Sequence, residues 1–288
     1  MPGTGVRPPG RGSKAMQNWF NDPFVQSAVL PFLVALVVAV LVGRIAPRWS
    51  GLALACGVLV AVQVMGIDLA RVDSTTKIVL LGVAATAFGL VRDRFAADRG
   101  WIAVALFFVG AAAITWVIWP VLLRRDGAPF WYLFAGAVAY SGWMWAASEL
   151  VRDDVHRCAV TAVAVGTATA LCVVLGASAK LGQLGGAVAA AGGAYLAVAM
   201  VNPALAGGSV MALPATAFGA LLGYAALVYA KLPWYCLPAI ALVPMLARVP
   251  LPSGLSRWWR ACIVLVAVAP AVIVAVVLAW HGAGPPPL

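Results

Sequence analysis

Charge is what this sequence has least of. Only 10% of its 288 residues are Asp, Glu, Lys or Arg, against roughly 25% in a soluble domain. A solvated globular surface cannot be built from so little polarity. Acid is scarcest: nine Asp and Glu stand against nineteen Lys and Arg, for a net charge of +10, and Glu149 is the single glutamate. With two histidines and no G-x-S-x-G, H-E-x-x-H or P-loop pattern, hydrolase, zincin and nucleotide-binding chemistries have no motif to rest on. The five cysteines, Cys56, Cys158, Cys172, Cys236 and Cys262, form no C-x-x-C pair, so zinc, haem and redox sites lack a signature and no cofactor is expected. Their expected role is small apolar packing. No basic domain gathers the positive charge, which excludes nucleic acid as a partner.

What is there is apolar, and it comes in long blocks. Hydrophobic residues make up 64% of the chain, in runs close to the about 20 residues a helix needs to cross a bilayer. Strands of a barrel would instead alternate over about ten residues. The expected fold is therefore all-α, a polytopic helical membrane bundle of about ten transmembrane helices, with the lipid bilayer as its first partner. The segments run over 24–43, 49–66, 75–91, 101–123, 130–150, 158–176, 181–201, 210–230, 235–247 and 261–280. The ninth holds Pro238 and Pro244 and is short, which predicts a kinked or partial span. Residues 1–22, rich in Pro, Gly and basic groups, read as a disordered or over-extended N-terminal tail, with Met16 an alternative start. The bundle occupies 23–281, and 282–288 form a flexible C-terminal tail.

Trp49, Trp101, Trp131, Trp234, Trp258, Trp259 and Trp280 fall near segment ends, where indole rings favour the headgroup layer. Loops after odd-numbered segments hold Arg44, Arg48, Arg92, Arg94, Arg99, Arg152, Arg157, Arg248, Arg257 and Arg260. Those after even-numbered segments hold Arg71, Lys77, Arg124, Arg125, Lys180 and Lys231. If the chain starts at Met16, this bias puts the odd loops in the cytoplasm and both termini in the periplasm. Arg7, Arg11 and Lys14 bring the two sides to a near tie.

The stretch 177–201 repeats small residues every four positions: Ser178, Gly182, Gly186, Ala190 and Ala194. Such a stripe lets a second helix approach backbone to backbone. Pro214 predicts a kink in the eighth segment, where Ala215, Gly219 and Gly223 supply a second small face. Close packing of the seventh and eighth segments follows, and the same Gly/Ala faces offer a contact for a homo-oligomer or a partner within a membrane complex.

No ionisable residue lies near a segment midpoint. A charge there costs about 2.5–3.5 kcal/mol on insertion scales and usually marks a pump or protease centre, so neither is expected. The mid-span polar groups are weak ones. Gln63, Thr86, Tyr140, Thr167 and Thr216 are the candidate lining of a solute pathway, although such groups more often bond within or between helices. Tyr132, Tyr140, Trp143 and Trp145 make the fifth segment unusually aromatic; packing against Ala and Gly faces is the expected use, stacking on a ligand the alternative. Metal ligands are not expected. The weak candidates are Glu149, Asp153 and His156, which share a face if the fifth helix continues, but Arg152 and Arg157 among them point to an internally paired interfacial loop. Lys180 is expected to snorkel to the interface.

Ten spans in under 300 residues resemble the size class of drug/metabolite-type transporters, in span count and length alone. The Ala- and Val-rich spans also resemble inner-membrane proteins of GC-rich bacteria, which implies that location. Three readings follow. The leading one is a permease or facilitator for a small neutral, amphipathic or lipid-like solute. The second is a non-transporting scaffold or subunit of a membrane complex. The third, an enzyme built on Glu149–His156, needs those side chains to converge.

Overall fold

Each apolar segment folds as a helix in the computed structural model, which describes residues 22–94, 99–124, 126–176 and 178–282. In order these are α1 (Val25–Ile45), α2 (Leu52–Val64), α3 (Ser74–Arg92), α4 (Arg99–Leu122), α5 (Ala128–Val151), α6 (Val155–Leu175), α7 (Ala179–Val201), α8 (Ser209–Tyr229), α9 (Cys236–Leu246) and α10 (Arg257–Gly282). No strand occurs among the described residues. The two expected tails, 1–22 and 282–288, lie outside those residues except for Asp22 and for Gly282, which ends α10.

Seven of these helices, all but α2, α5 and α9, are long and apolar enough to cross a membrane. The finer figure of about ten spans depends on the other three. With 13 and 11 residues, α2 and α9 rise only about 20 Å and about 17 Å at 1.5 Å per residue, less than the about 30 Å hydrocarbon core. The 24 residues of α5 are enough for length, but it carries Trp, Tyr, Ser and Glu149 where its neighbours carry Val and Leu.

Capping and proline fix the ends and bends. The Asp73 carboxylate accepts from Thr76 N–H at the start of α3, and Asp154 accepts from the N–H groups of His156 and Arg157 at the start of α6, satisfying donors that a helix leaves free. Pro120, Pro214, Pro244 and Pro270 lie inside α4, α8, α9 and α10, and each removes the bond to the carbonyl four residues back. For Pro120 that carbonyl belongs to Trp116. Lys77 Nζ of α3 donates to it at 3.0 Å, with the ammonium 5.0 Å from the Trp116 ring.

Successive helices alternate in direction. The ends of α3 and α5 meet through Arg92 and Glu149, and the start of α8 joins them where Ser209 N–H donates to Asp93. At the opposite end Ser74 donates to Tyr229, and Gly282 packs on Pro233. We call these the Arg92 end and the Ser74 end. The start of α1, where Ser27 lies beside Gly186, and the last turn of α10 both belong to the Ser74 end.

At the centre is α8, buried at every residue from Ser209 to Ala226. It lies against α3, α5 and α6. Gly82 of α3 leaves room for the Phe218 ring, and Gly219 and Gly223 of α8 leave room for Val165 and Tyr140. The expected α7–α8 pair is only a minor contact; α7 packs mainly on α6 and α1. A series spaced by four drifts about 40° per step around a helix of 3.6 residues per turn, so the five stripe residues cannot face one neighbour. Gly182 meets Val174 of α6, while Gly186 turns to Ser27 of α1. Ala194 is buried, and Ser178 and Ala190 are half-buried. The closest approach lies on a 3-4 spacing instead. A β-carbon on Gly185 would sit 2.8 Å from the backbone N of Ala170, one on Gly192 2.8 Å from Ala162 Cβ, and one on Gly166 2.5 Å from the backbone N of Ala189.

Candidate functional site: an aromatic groove and a buried charge cluster

The shortness of α9 has a consequence for its neighbours. The chain leaves α8 at Tyr229, runs non-helically through 230–235, and re-enters helix only at Cys236. Non-helical backbone between membrane helices is tolerated where it lines a cavity. A groove of about 860 Å³ opens here between α5, α8, α9 and the 232–234 lip, a volume within the about 300–1,000 Å³ of small-molecule sites. Tyr132, Leu133, Gly136, Ala139, Tyr140 and Trp143 form the α5 wall. Tyr224 and Leu227 of α8, the lip Leu232, Pro233 and Trp234, and Leu237, Pro238 and Ala241 of α9 complete it. The mouth is at the Ser74 end, where Tyr132 and Trp234 are 79% and 69% exposed.

The polar atoms of the deep aromatic residues are consumed by backbone. The Tyr140 hydroxyl donates to Gly219 O at 3.3 Å, Tyr224 donates to Leu133 O, and Trp143 Nε1 donates to Ala241 O at 3.0 Å. These bonds hold the ring planes in place and leave their apolar faces toward the groove, with Tyr140 and Tyr224 centroids 6.3 Å apart. No lining residue carries a charge. Such a wall accepts an apolar chain or ring and offers an ion nothing.

Charge collects instead at the Arg92 end. Glu149 Oε2 lies 3.2 Å from Arg92 NH2 and 3.1 Å from Arg152 NH1, with the Arg92 and Glu149 side chains only 3% and 6% exposed. Arg152 also reaches Asp153 at 3.6 Å, and Arg157 donates to Val249 O at 2.9 Å. The expectation of a solvated, internally paired loop is corrected here: the stretch is paired, but Glu149 is buried, and its first partner comes from another helix. At Asp154, burial pushes the carboxyl up, yet the side-chain hydrogen bond with His156 and the backbone bonds from Arg157 and His156 outweigh it, holding it at about 2.

The metal-ligand candidates stay apart in role. α5 ends at Val151, so Glu149, Asp153 and His156 do not share a helical face. Glu149 serves two arginines, Asp153 is more than half exposed, and the His156 Nδ1 lies 3.5 Å from Asp154. Among the described residues no three His, Cys, Asp or Glu side chains are grouped to hold a metal ion.

Of the pathway candidates, Tyr140 lines the groove. Thr86 and Thr216 are buried and bond to carbonyls of their own helices, at Gly82 and at Ala212 and Leu213. Gln63 is exposed near the end of α2, and Thr167 is half-buried on α6. The five do not share a cavity. Sequence reasoning noticed Tyr132, Tyr140 and Trp143 but expected packing from them; Trp145, grouped with them, packs against Gly110 of α4 instead. It missed the contribution of the 232–234 lip and of Pro238, for which the short, proline-bearing ninth segment was the available signal. Lys180 is exposed at the start of α7.

A comparison with models of protein families gives no match, and a comparison with curated proteins gives none either.

Proposed function

We propose that the chain is a multi-pass inner-membrane permease or facilitator that binds an amphipathic or lipid-like solute in the α5–α8–α9 groove and moves it. The observation that carries this reading is the groove itself: about 860 Å³, open at the Ser74 end, walled by aromatic and aliphatic side chains, and free of charged lining. For a solute arriving from water, burying apolar surface there supplies about 25 cal/mol per Å², and the held rings favour a chain or ring system over a hydrated polar solute. A small neutral but strongly polar solute is disfavoured, because Thr86 and Thr216 have already given their hydroxyls to their own helices. The Arg92–Glu149–Arg152 cluster ties the far ends of α3 and α5 together on the side we assign to the cytoplasm.

The test is translocation of a fluorescent single-chain amphiphile in proteoliposomes, read by external quenching. Ala139, an exposed groove residue of α5, is replaced by Trp to fill the groove. Wild type should accelerate translocation and Ala139→Trp should not. If wild type is indistinguishable from empty liposomes, the permease reading is wrong. The scaffold reading then takes its place, supported by the closely packed α6–α7 seam.

A further inference from the structure

We propose that the occupant of the groove is an anionic amphiphile, whose headgroup is held at Lys231 while its apolar chain lies against Tyr140 and Leu237. This rests on the groove reading above and adds the sign of the ligand's charge and its direction of entry.

Three observations combine. The inner groove carries no charge, so any charged part of a ligand must remain at the mouth. Lys231 stands directly before the lip Leu232–Trp234, is exposed, and has no carboxylate partner among the described residues. Some other cations do have partners: Arg71 lies 3.9 Å from Asp68, Lys77 donates to Trp116 O, and Arg92 and Arg152 share Glu149; Lys180 is exposed like Lys231 but is not adjacent in sequence to a groove residue. Finally, Lys231 has φ 54° and is the one non-glycine residue in the left-handed region among those described. That conformation is strained for an L-residue and is the usual place for glycine after a helix. A cation beside the α8 C-terminus recovers only part of this through the helix dipole, which leaves the charge at the lip as the remaining reason for a lysine. Exposed Tyr132 and Trp234 line the same groove as the lip, and such amphipathic rings suit the headgroup layer.

The experiment is native mass spectrometry of the purified full chain with phosphatidylglycerol and phosphatidylcholine of identical acyl chains. Wild type should retain phosphatidylglycerol about fivefold better, as expected for about 1 kcal/mol per basic residue at an anionic headgroup. Lys231→Gln should lose this preference and keep its phosphatidylcholine binding. Lys231→Gly should lose it too while unfolding at a higher temperature than wild type, because glycine relieves the left-handed strain. A purely structural lysine does not produce that opposition. If wild type shows no preference, or either variant keeps it, the headgroup assignment is overturned while the groove reading stands. If Ala139→Trp retains both lipids as wild type does, the groove reading itself fails. Inorganic phosphate is the remaining arm. Should it displace phosphatidylglycerol at concentrations too low for ionic screening, the site takes a free anion and the amphiphile is overturned; no displacement supports the amphiphile.

Discussion

Gly185 and Gly186 are neighbours in sequence, and the structure gives them opposite tolerances. A β-carbon on Gly185 meets the backbone of Ala170 at 2.8 and 2.9 Å; one on Gly186 meets Ser27 at 3.5 Å, an ordinary contact. Replacing either by alanine gains the same helix propensity, about 0.5–1 kcal/mol, so that contribution cancels when the two variants are compared. What remains is overpacking at Gly185. Ala170 backbone cannot rotate away as a side chain can, so α6 and α7 must separate, at about 1–3 kcal/mol. We expect Gly185→Ala to unfold about 2 kcal/mol less stably than Gly186→Ala, or about 4–8 °C lower at about 2–4 °C per kcal/mol. The buried thiols of Cys158, Cys172 and Cys236 make a thiol-reactive dye a suitable thermal reporter in detergent. Gly166→Ala, placed 2.5 Å from Ala189 N, should behave like Gly185→Ala. If Gly185→Ala and Gly186→Ala unfold within a degree of each other, the α6–α7 seam is not the close contact described, and every-fourth-residue packing regains its standing.

Glu149→Gln takes the shared carboxylate away from Arg92 and Arg152, with the Arg92 side chain 3% exposed, and removing one member of a buried pair costs about 3–5 kcal/mol. Glu149→Asp, which keeps the charge, should cost less than Glu149→Gln, and thermal unfolding of the three proteins decides it. Asp154 has its carboxyl lowered from 3.8 to about 2, so its stabilisation is full above about pH 4 and is lost as pH falls through about 2. The wild-type advantage in unfolding temperature over Asp154→Ala, worth at most about 2 kcal/mol at neutral pH, should therefore shrink between pH 4 and pH 2; an advantage constant over that range contradicts the assignment. Reporter fusions after Arg94 and after Gly282 should lie on opposite sides of the membrane, and same-side signals would mean one helix fewer or more crosses than the alternation of direction requires.

The helices were legible because each is written twice, once as an apolar run and once in its flanking Arg, Trp, Pro or Asp. Their number as spans was less so. In 235–247, turn residues and helix share one apolar composition, so hydropathy could not say that Tyr235 precedes the helix and that α9 keeps only 11 residues. The small-residue stripe was legible as packing but not in its partner. Glycine states that something comes close without naming it, and only the 3.6-residue turn separates Gly185, which faces α6, from Gly186, which faces α1. Glu149 was visible as the lone glutamate, whereas its pairing with Arg92, 57 positions away, has no local signature.

The groove and the charge cluster share one cause, and it is visible in α5. Every long helix but this one meets the hydropathy a lipid-facing span requires. The deficit comes from residues such as Tyr140, Trp143 and Glu149, and each of these is answered from another element: Gly219 O from α8, Ala241 O from α9, the Arg92 guanidinium from α3. Where water cannot serve as partner, a polar atom on a helix is a demand that a neighbouring backbone or side chain must meet. Meeting that demand with Ala241 requires α9 to sit beside the middle of α5, and the short α9 then leaves the first turns of α5 uncovered. The recess between Tyr132 and Tyr140 is what that arrangement leaves open, so the least lipid-like of the long helices is the one against which a lipid-like molecule can lie.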